Sequence, residues 1–105
     1  MRSGIVYFKK LNAGIISETE NGYEFRYMES YLENPEAIAI SLTLPLQKQP
    51  FVQKTMFAFF DGLIPEGWML NLAIKNWKLN RQDRMGLLLN CCGDTIGAVS
   101  IEKIK

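Results

Sequence analysis

Asn21-Gly22-Tyr23-Glu24-Phe25-Arg26-Tyr27 is the stretch that decides the fold class. Asn21-Gly22 is a tight-turn dipeptide, because both residues tolerate positive φ, and the aromatic residues that follow alternate strictly with charged ones. That period of two is the signature of a half-buried strand leaving a hairpin turn. Working back, Ile15 and Ile16 belong to a preceding strand that ends in the polar run Ser17 to Glu20. Asn12 to Gly14 reads as a turn before it. Gly4 to Lys10 reads as a first strand, with Ile5 and Tyr7 on one side and Val6 and Phe8 on the other, the pattern of a strand covered on both faces.

Working forward, Tyr31 to Pro35 reads as polar and irregular, and Ile38, Ile40, Leu42 and Leu44 resume period two until Pro45 stops the run. From Lys54 the period changes. Met56, Phe59, Phe60 and Leu63 recur at three and four residues, one face of a short helix ended by Gly62 and Pro65. Pro65 suits the first position of a second helix, with Glu66 favourably placed against its N-terminal dipole. In that helix Leu70, Ala73, Ile74 and Trp77 form a core-facing stripe, and Trp68 falls about 160° from Leu70 with Leu72 nearby. A third helix is expected from Arg81 to Cys91, with Asn80 as N-cap, Asp83 three residues on and Gly93 as stop. Ile96 to Ile101 closes the chain as a last strand. The order of elements predicts an α+β fold: a mainly antiparallel, curled sheet of about five strands packed with three short helices, forming a single domain over residues 1–105.

Composition narrows the function. The 105 residues are 48% hydrophobic and 22% charged, ordinary for a globular domain that folds without disulfides or metals. Cys91 and Cys92 are adjacent, so they cannot staple distant segments and read as buried thiols. Nothing at the N-terminus resembles a signal sequence and no apolar run reaches the roughly 18 residues of a membrane span, so the expected location is the cytoplasm. The net charge is +1, but six glutamates lie between Glu18 and Glu36 against Arg26 alone, while Lys75, Lys78, Arg81 and Arg84 stand against Asp83. Two solvated faces account for these runs, and steering onto a charged partner is the sharper reading. The basic run is too sparse for a nucleic-acid groove.

The chain has no histidine, hence no ordinary general base near neutral pH and no Ser/His or Cys/His pair. Asp61 and Glu66 flank a Gly-Leu-Ile-Pro turn, where turn and dipole roles explain them. Gly93-Asp94-Thr95-Ile96-Gly97-Ala98 lacks the lysine of a phosphate-binding loop and precedes a strand. No enzyme activity, cofactor or metal is expected. Trp68 remains conspicuous: it is either a solvent-facing contact of the type enriched at binding hot spots, or it folds back against Phe57 or Phe60.

Three strings carry a family resemblance: Ile40-Ser41-Leu42-Thr43-Leu44-Pro45-Leu46, Phe59-Phe60-Asp61-Gly62-Leu63-Ile64-Pro65-Glu66-Gly67, and Gly93-Asp94-Thr95-Ile96-Gly97-Ala98-Val99. In order and spacing they resemble the N-terminal subdomain of HipA-type serine/threonine kinase toxins, and the middle string is the most specific. In those toxins the subdomain precedes a larger kinase core, and here the chain stops where that core would begin. The resemblance therefore implies a detached subdomain similar to the small HipS-like proteins of tripartite HipBST toxin-antitoxin modules, in which HipT is the kinase toxin and HipB a helix-turn-helix protein.

On that resemblance the expected function is an antitoxin that binds and inhibits a separate HipA/HipT-type kinase. The expected partner-binding residues are Glu66, Gly67, Trp68, Met69 and Leu72, with Gly67-Trp68-Met69 at or beside the kinase active site. The alternatives are a non-inhibitory scaffold linking the kinase to a HipB-type protein, and a remnant of a split kinase gene.

Overall fold

A computed structural model describes residues 1–93 and 98–104, with only the backbone described for Trp68 and Trp77. Five strands, β1 (Ser3–Phe8), β2 (Leu11–Thr19), β3 (Gly22–Tyr27), β4 (Phe51–Gln53) and β5 (Val99–Ile104), form one antiparallel sheet in the order β4-β3-β2-β1-β5. Four helices accompany it among the described residues: α1 (Glu29–Glu33), α2 (Ala58–Asp61), α3 (Gly67–Trp77) and α4 (Arg84–Cys91). The α+β class and the five-stranded antiparallel sheet agree with the sequence reading.

One face of the sheet builds the core. Val6, Ile16, Phe25, Tyr27 and Ile101 are buried there against Phe60 of α2 and Met85, Leu87 and Leu88 of α4. Phe25 stacks edge-on to Tyr27 at 4.9 Å and lies 5.3 Å from Phe60, so the strand that decided the fold class also seats the helices. The alternation of Tyr23, Phe25 and Tyr27 thus has the physical basis expected of it. The two-sided coverage expected for β1 does not hold, however: Ile5 and Tyr7, on the opposite face, are only half-buried.

Turn chemistry corrects the sequence reading at both hairpins. The β1–β2 turn is Lys9-Lys10, both residues with positive φ (48° and 72°), while Asn12 to Gly14 lie inside β2. Two αL residues give the twist a two-residue hairpin needs, and the Lys9 amide is secured by a bond to the Ala98 carbonyl at 2.8 Å. Between Val6 and Tyr7 the register shifts, so Ala13 is the extra residue of a bulge. In the next hairpin Thr19 pairs with Gly22 and Glu20-Asn21 form the loop, neither with positive φ. Gly22 answers a different demand: a Cβ there would sit 2.1 Å from the Gln53 carbonyl oxygen, so glycine lets β4 approach.

The expected strand over Ile38–Leu44 is absent. A strand would set Ile38, Ile40, Leu42 and Leu44 on one face, but Ile40 and Leu44 are buried while Ile38 and Leu42 are exposed, and the backbone forms only an isolated bridge between Ser41 and Leu44 around a tight turn. Two stacked tyrosines replace strand partners. The Tyr27 hydroxyl donates to the Leu44 carbonyl and accepts from the Ile40 amide at 3.1 Å, and Tyr31 Oη donates to the Ile38 carbonyl at 2.8 Å. The fifth strand is instead the short β4. Tyr31 belongs to α1, a helix the polar appearance of this segment concealed, and is buried.

The last helix begins at Arg84, not Arg81, and its N-cap is Asp83, whose Oδ1 accepts from the Gly86 amide at 3.1 Å. Asn80 caps only its own turn, accepting from the Gln82 amide at 2.9 Å. Asp94 to Gly97 lie outside the described residues, so that part of the third string and the start of the expected last strand are not described.

Candidate functional site

The segment expected to contact a partner lies where α2 hands over to α3. Ile64 is buried, which anchors the connection, and Pro65 follows half-buried. Glu66 is extended (φ −119°, ψ 171°) and serves as N-cap of α3, although its side chain makes no capping bond. This corrects the expectation that the helix starts at Pro65. Gly67 explains the shift: its φ of +60° is incompatible with a helix running through from Pro65, and nothing lies within 4 Å of where its Cβ would be.

From Gly67 the helix runs to Trp77 and ends on Lys78 in the αL conformation, whose amide bonds to the Ile74 carbonyl. Leu70 is buried, and Ala73 and Ile74 are half-buried, in agreement with the predicted core stripe. Met69 is 58% and Leu72 45% exposed. Three residues apart, they share one side of the helix, and position 68 lies one turn before Leu72 on the same backbone. The Trp68 side chain, expected either to face solvent or to fold back against Phe57 or Phe60, lies outside the described residues.

Three polar contacts from α4 and the residues flanking it brace this segment. Arg84 Nε bonds to Asp61 Oδ1 at 2.6 Å, tying the start of α4 to the end of α2. Arg81 Nη2 donates to Asn71 Oδ1 in α3. Cys92 Sγ, fully buried, donates to the Leu63 carbonyl at 3.4 Å. The sequence reading gave Asp61 a local turn role and missed its partner 23 positions away; nothing in local spacing signals that pair.

The surroundings of the exposed apolar pair are basic and polar. Asn71, Lys75, Asn76 and Lys78 are exposed along α3, with Arg81 just beyond. Among the described residues no group of three histidine, cysteine or acidic side chains could hold a metal ion, and no helix is long and apolar enough to cross a membrane.

A family model described as the HipA N-terminal domain matches residues 4–102. The chain belongs to the HipA N-terminal domain family. Among solved structures it is similar to one named "N-terminal domain of HipA toxin", with 29% identity, a TM-score of 0.71, and coverage of 100% of this chain and 94% of the other. An uncharacterized protein of Haemophilus influenzae is 31% identical over 105 residues, covering all of this chain and 95% of its own. A Sinorhizobium fredii protein named as a kinase, Y4mE, is 27% identical over 77 residues, 73% of this chain but only 18% of that much longer protein. In the HipA N-terminal domain fold of this chain, the α2–α3 connection carries the middle string of the family resemblance.

Proposed function

We propose that this chain is a HipS-like antitoxin that binds and inhibits a separately encoded HipA/HipT-type serine/threonine kinase. Membership of the HipA N-terminal domain family supports a role beside such a kinase. The observation that carries the contact site is the exposure of Met69 and Leu72 on a helix whose Leu70 is held in the core. An apolar row on a fixed helix is what a partner pocket can desolvate at little ordering cost, and flexible Met69 adapts to an irregular one.

In this mechanism the domain docks on the kinase and presents Gly67-Trp68-Met69 at or beside its active site, excluding productive nucleotide or substrate. Glu66 and Gly67 set the angle at which α3 leaves the core, and Leu72 extends the apolar contact by a turn. The chain supplies no catalytic group of its own. The setting is the cytoplasm, with a HipB-type helix-turn-helix protein as the further member of the complex.

Co-expression with a HipA-type kinase tests this reading. Growth should be rescued and the two proteins should co-purify. Growth arrest despite co-purification would instead support a scaffold linking kinase to the HipB-type protein, a reading favoured by two exposed sets of like charge, Glu20, Glu29, Glu33 and Glu36 in one stretch of the chain and Lys75, Lys78 and Arg81 in another. Binding through those charges should fall steeply with salt, whereas the apolar contact should not.

A further inference from the structure

The sheet face turned away from the core is apolar at its centre and open. One cross-strand row runs Arg26–Ile15–Ile5–Glu102 over β3, β2, β1 and β5 in register. Ile15 and Ile5 are half-buried, Arg26 and Glu102 exposed. The adjoining row is Glu24–Ser17–Ser3–Ile104, and Ile104 is 37% exposed. Shallow depressions beside Ile15 share Arg26 and Met28, leaving room for side chains from a facing surface. Central strands with apolar residues on both faces belong to sheets that are covered twice, and here the helices of the core cover one face.

The first row is positive, apolar, apolar, negative. That order is complementary to itself. With a two-fold axis parallel to the strands and midway between β1 and β2, Arg26 of one copy faces Glu102 of the other, and Ile15 faces Ile5. In the next row Ser17 faces Ser3. Sheets stack about 10 Å apart and cross at about 30°, which displaces the ends of the row by about one residue, within reach of an arginine. Arg26 is available: its contact with Glu24 is long, 3.8 Å, and its side chain is 61% exposed. Glu102 makes no ion pair among the described residues.

We propose that this face is a self-association surface that takes a second copy of the same chain in a two-fold, sheet-on-sheet dimer. A face of about four strands by six residues covers roughly 400 Å² per copy, below the roughly 800 Å² of a standard stable interface, so the dimer is weak and concentration-dependent. It leaves the exposed side of α3 free for another partner.

Sedimentation equilibrium from low micromolar to submillimolar protein tests this, with circular dichroism as a check on folding. The wild type should shift from monomer to dimer across that range. Arg26→Glu and Glu102→Arg should each weaken association by about tenfold or more, and the double variant, with the row reversed in sign, should restore it. A wild-type monomer at every concentration overturns the proposal, as does a dimer insensitive to either reversal or a double variant that fails to recover. If the wild type stays monomeric while Arg26→Glu loses a co-purified kinase, the face serves that partner instead and the second copy is ruled out.

Discussion

Arg2 and Asp83, 81 positions apart, are joined by two hydrogen bonds, Nη2 to Oδ1 at 2.7 Å and Nη1 to Oδ2 at 2.8 Å. The same guanidinium holds Glu18 through Nε at 2.7 Å and Nη2 at 2.9 Å. Because Asp83 is also the N-cap of α4, one arginine fastens the edge of β1, the end of β2 and the first turn of the most deeply buried helix.

Arg2→Ala should lower stability by about 1 kcal/mol, the scale of a partly exposed bidentate network after solvent screening. Thermal unfolding reads this as a fall in Tm of about 4–8 °C. Asp83→Asn should cost a similar amount because it keeps the cap, while Asp83→Ala should cost about 1 kcal/mol more by losing it. Equal losses for the two substitutions would show that the cap contributes nothing.

The hydrogen bonds from Arg2 hold the Glu18 and Asp83 carboxyls below their ordinary values of 4.5 and 3.8. At these sites the unfolded chain takes up protons first. The stabilisation is therefore complete above those ordinary values and lost as pH falls through the lower, folded ones. Urea midpoints measured from pH 6 to pH 2 should decline over that acid range, and less steeply in Arg2→Ala.

Tyr27→Phe should cost about 1–2 kcal/mol, because the Leu44 carbonyl and Ile40 amide lose their partner inside the core. The same variant should sensitise residues 38–46 to limited proteolysis, since the tyrosine hydroxyl stands in for strand pairing there. Unchanged cleavage would mean that Tyr31 alone holds the loop.

Burial pushes the Cys92 thiol up to about 12 and also raises that of half-buried Cys91. A thiol reagent at pH 8 should leave Cys92 unmodified and label Cys91 slowly in the folded protein, with both reacting in denaturant. Rapid native labelling of Cys92, mapped by mass spectrometry, would contradict its place in the core.

Where an element's burial follows its own period, the sequence was a good guide. The alternation of Tyr23, Phe25 and Tyr27 foretold β3, and Leu70, Ala73 and Ile74 foretold the inner side of α3. Readings failed where distant groups decide. Ile38–Leu44 has strand periodicity but no strand to pair with, because side-chain hydroxyls of Tyr27 and Tyr31 bond its backbone instead. Lys9-Lys10 carries no glycine or asparagine to advertise a positive-φ turn. Asp83 rather than Asn80 caps α4 because only Asp83 is also positioned by Arg2. At the candidate site, the exposure of Leu72 followed from helical spacing, whereas that of Met69 was not read from it and the entry angle depends on Gly67 and on the Arg84–Asp61 bond.

The central claim is that the start of α3 inhibits a HipA-type kinase. Its most direct test is a titration of purified kinase activity with wild-type chain and with Trp68→Ala. An interfacial tryptophan contributes on the order of 2 kcal/mol, so the half-inhibitory concentration should rise about thirtyfold while the variant unfolds at the wild-type temperature. Inhibition by folded Trp68→Ala at the wild-type concentration would contradict the account.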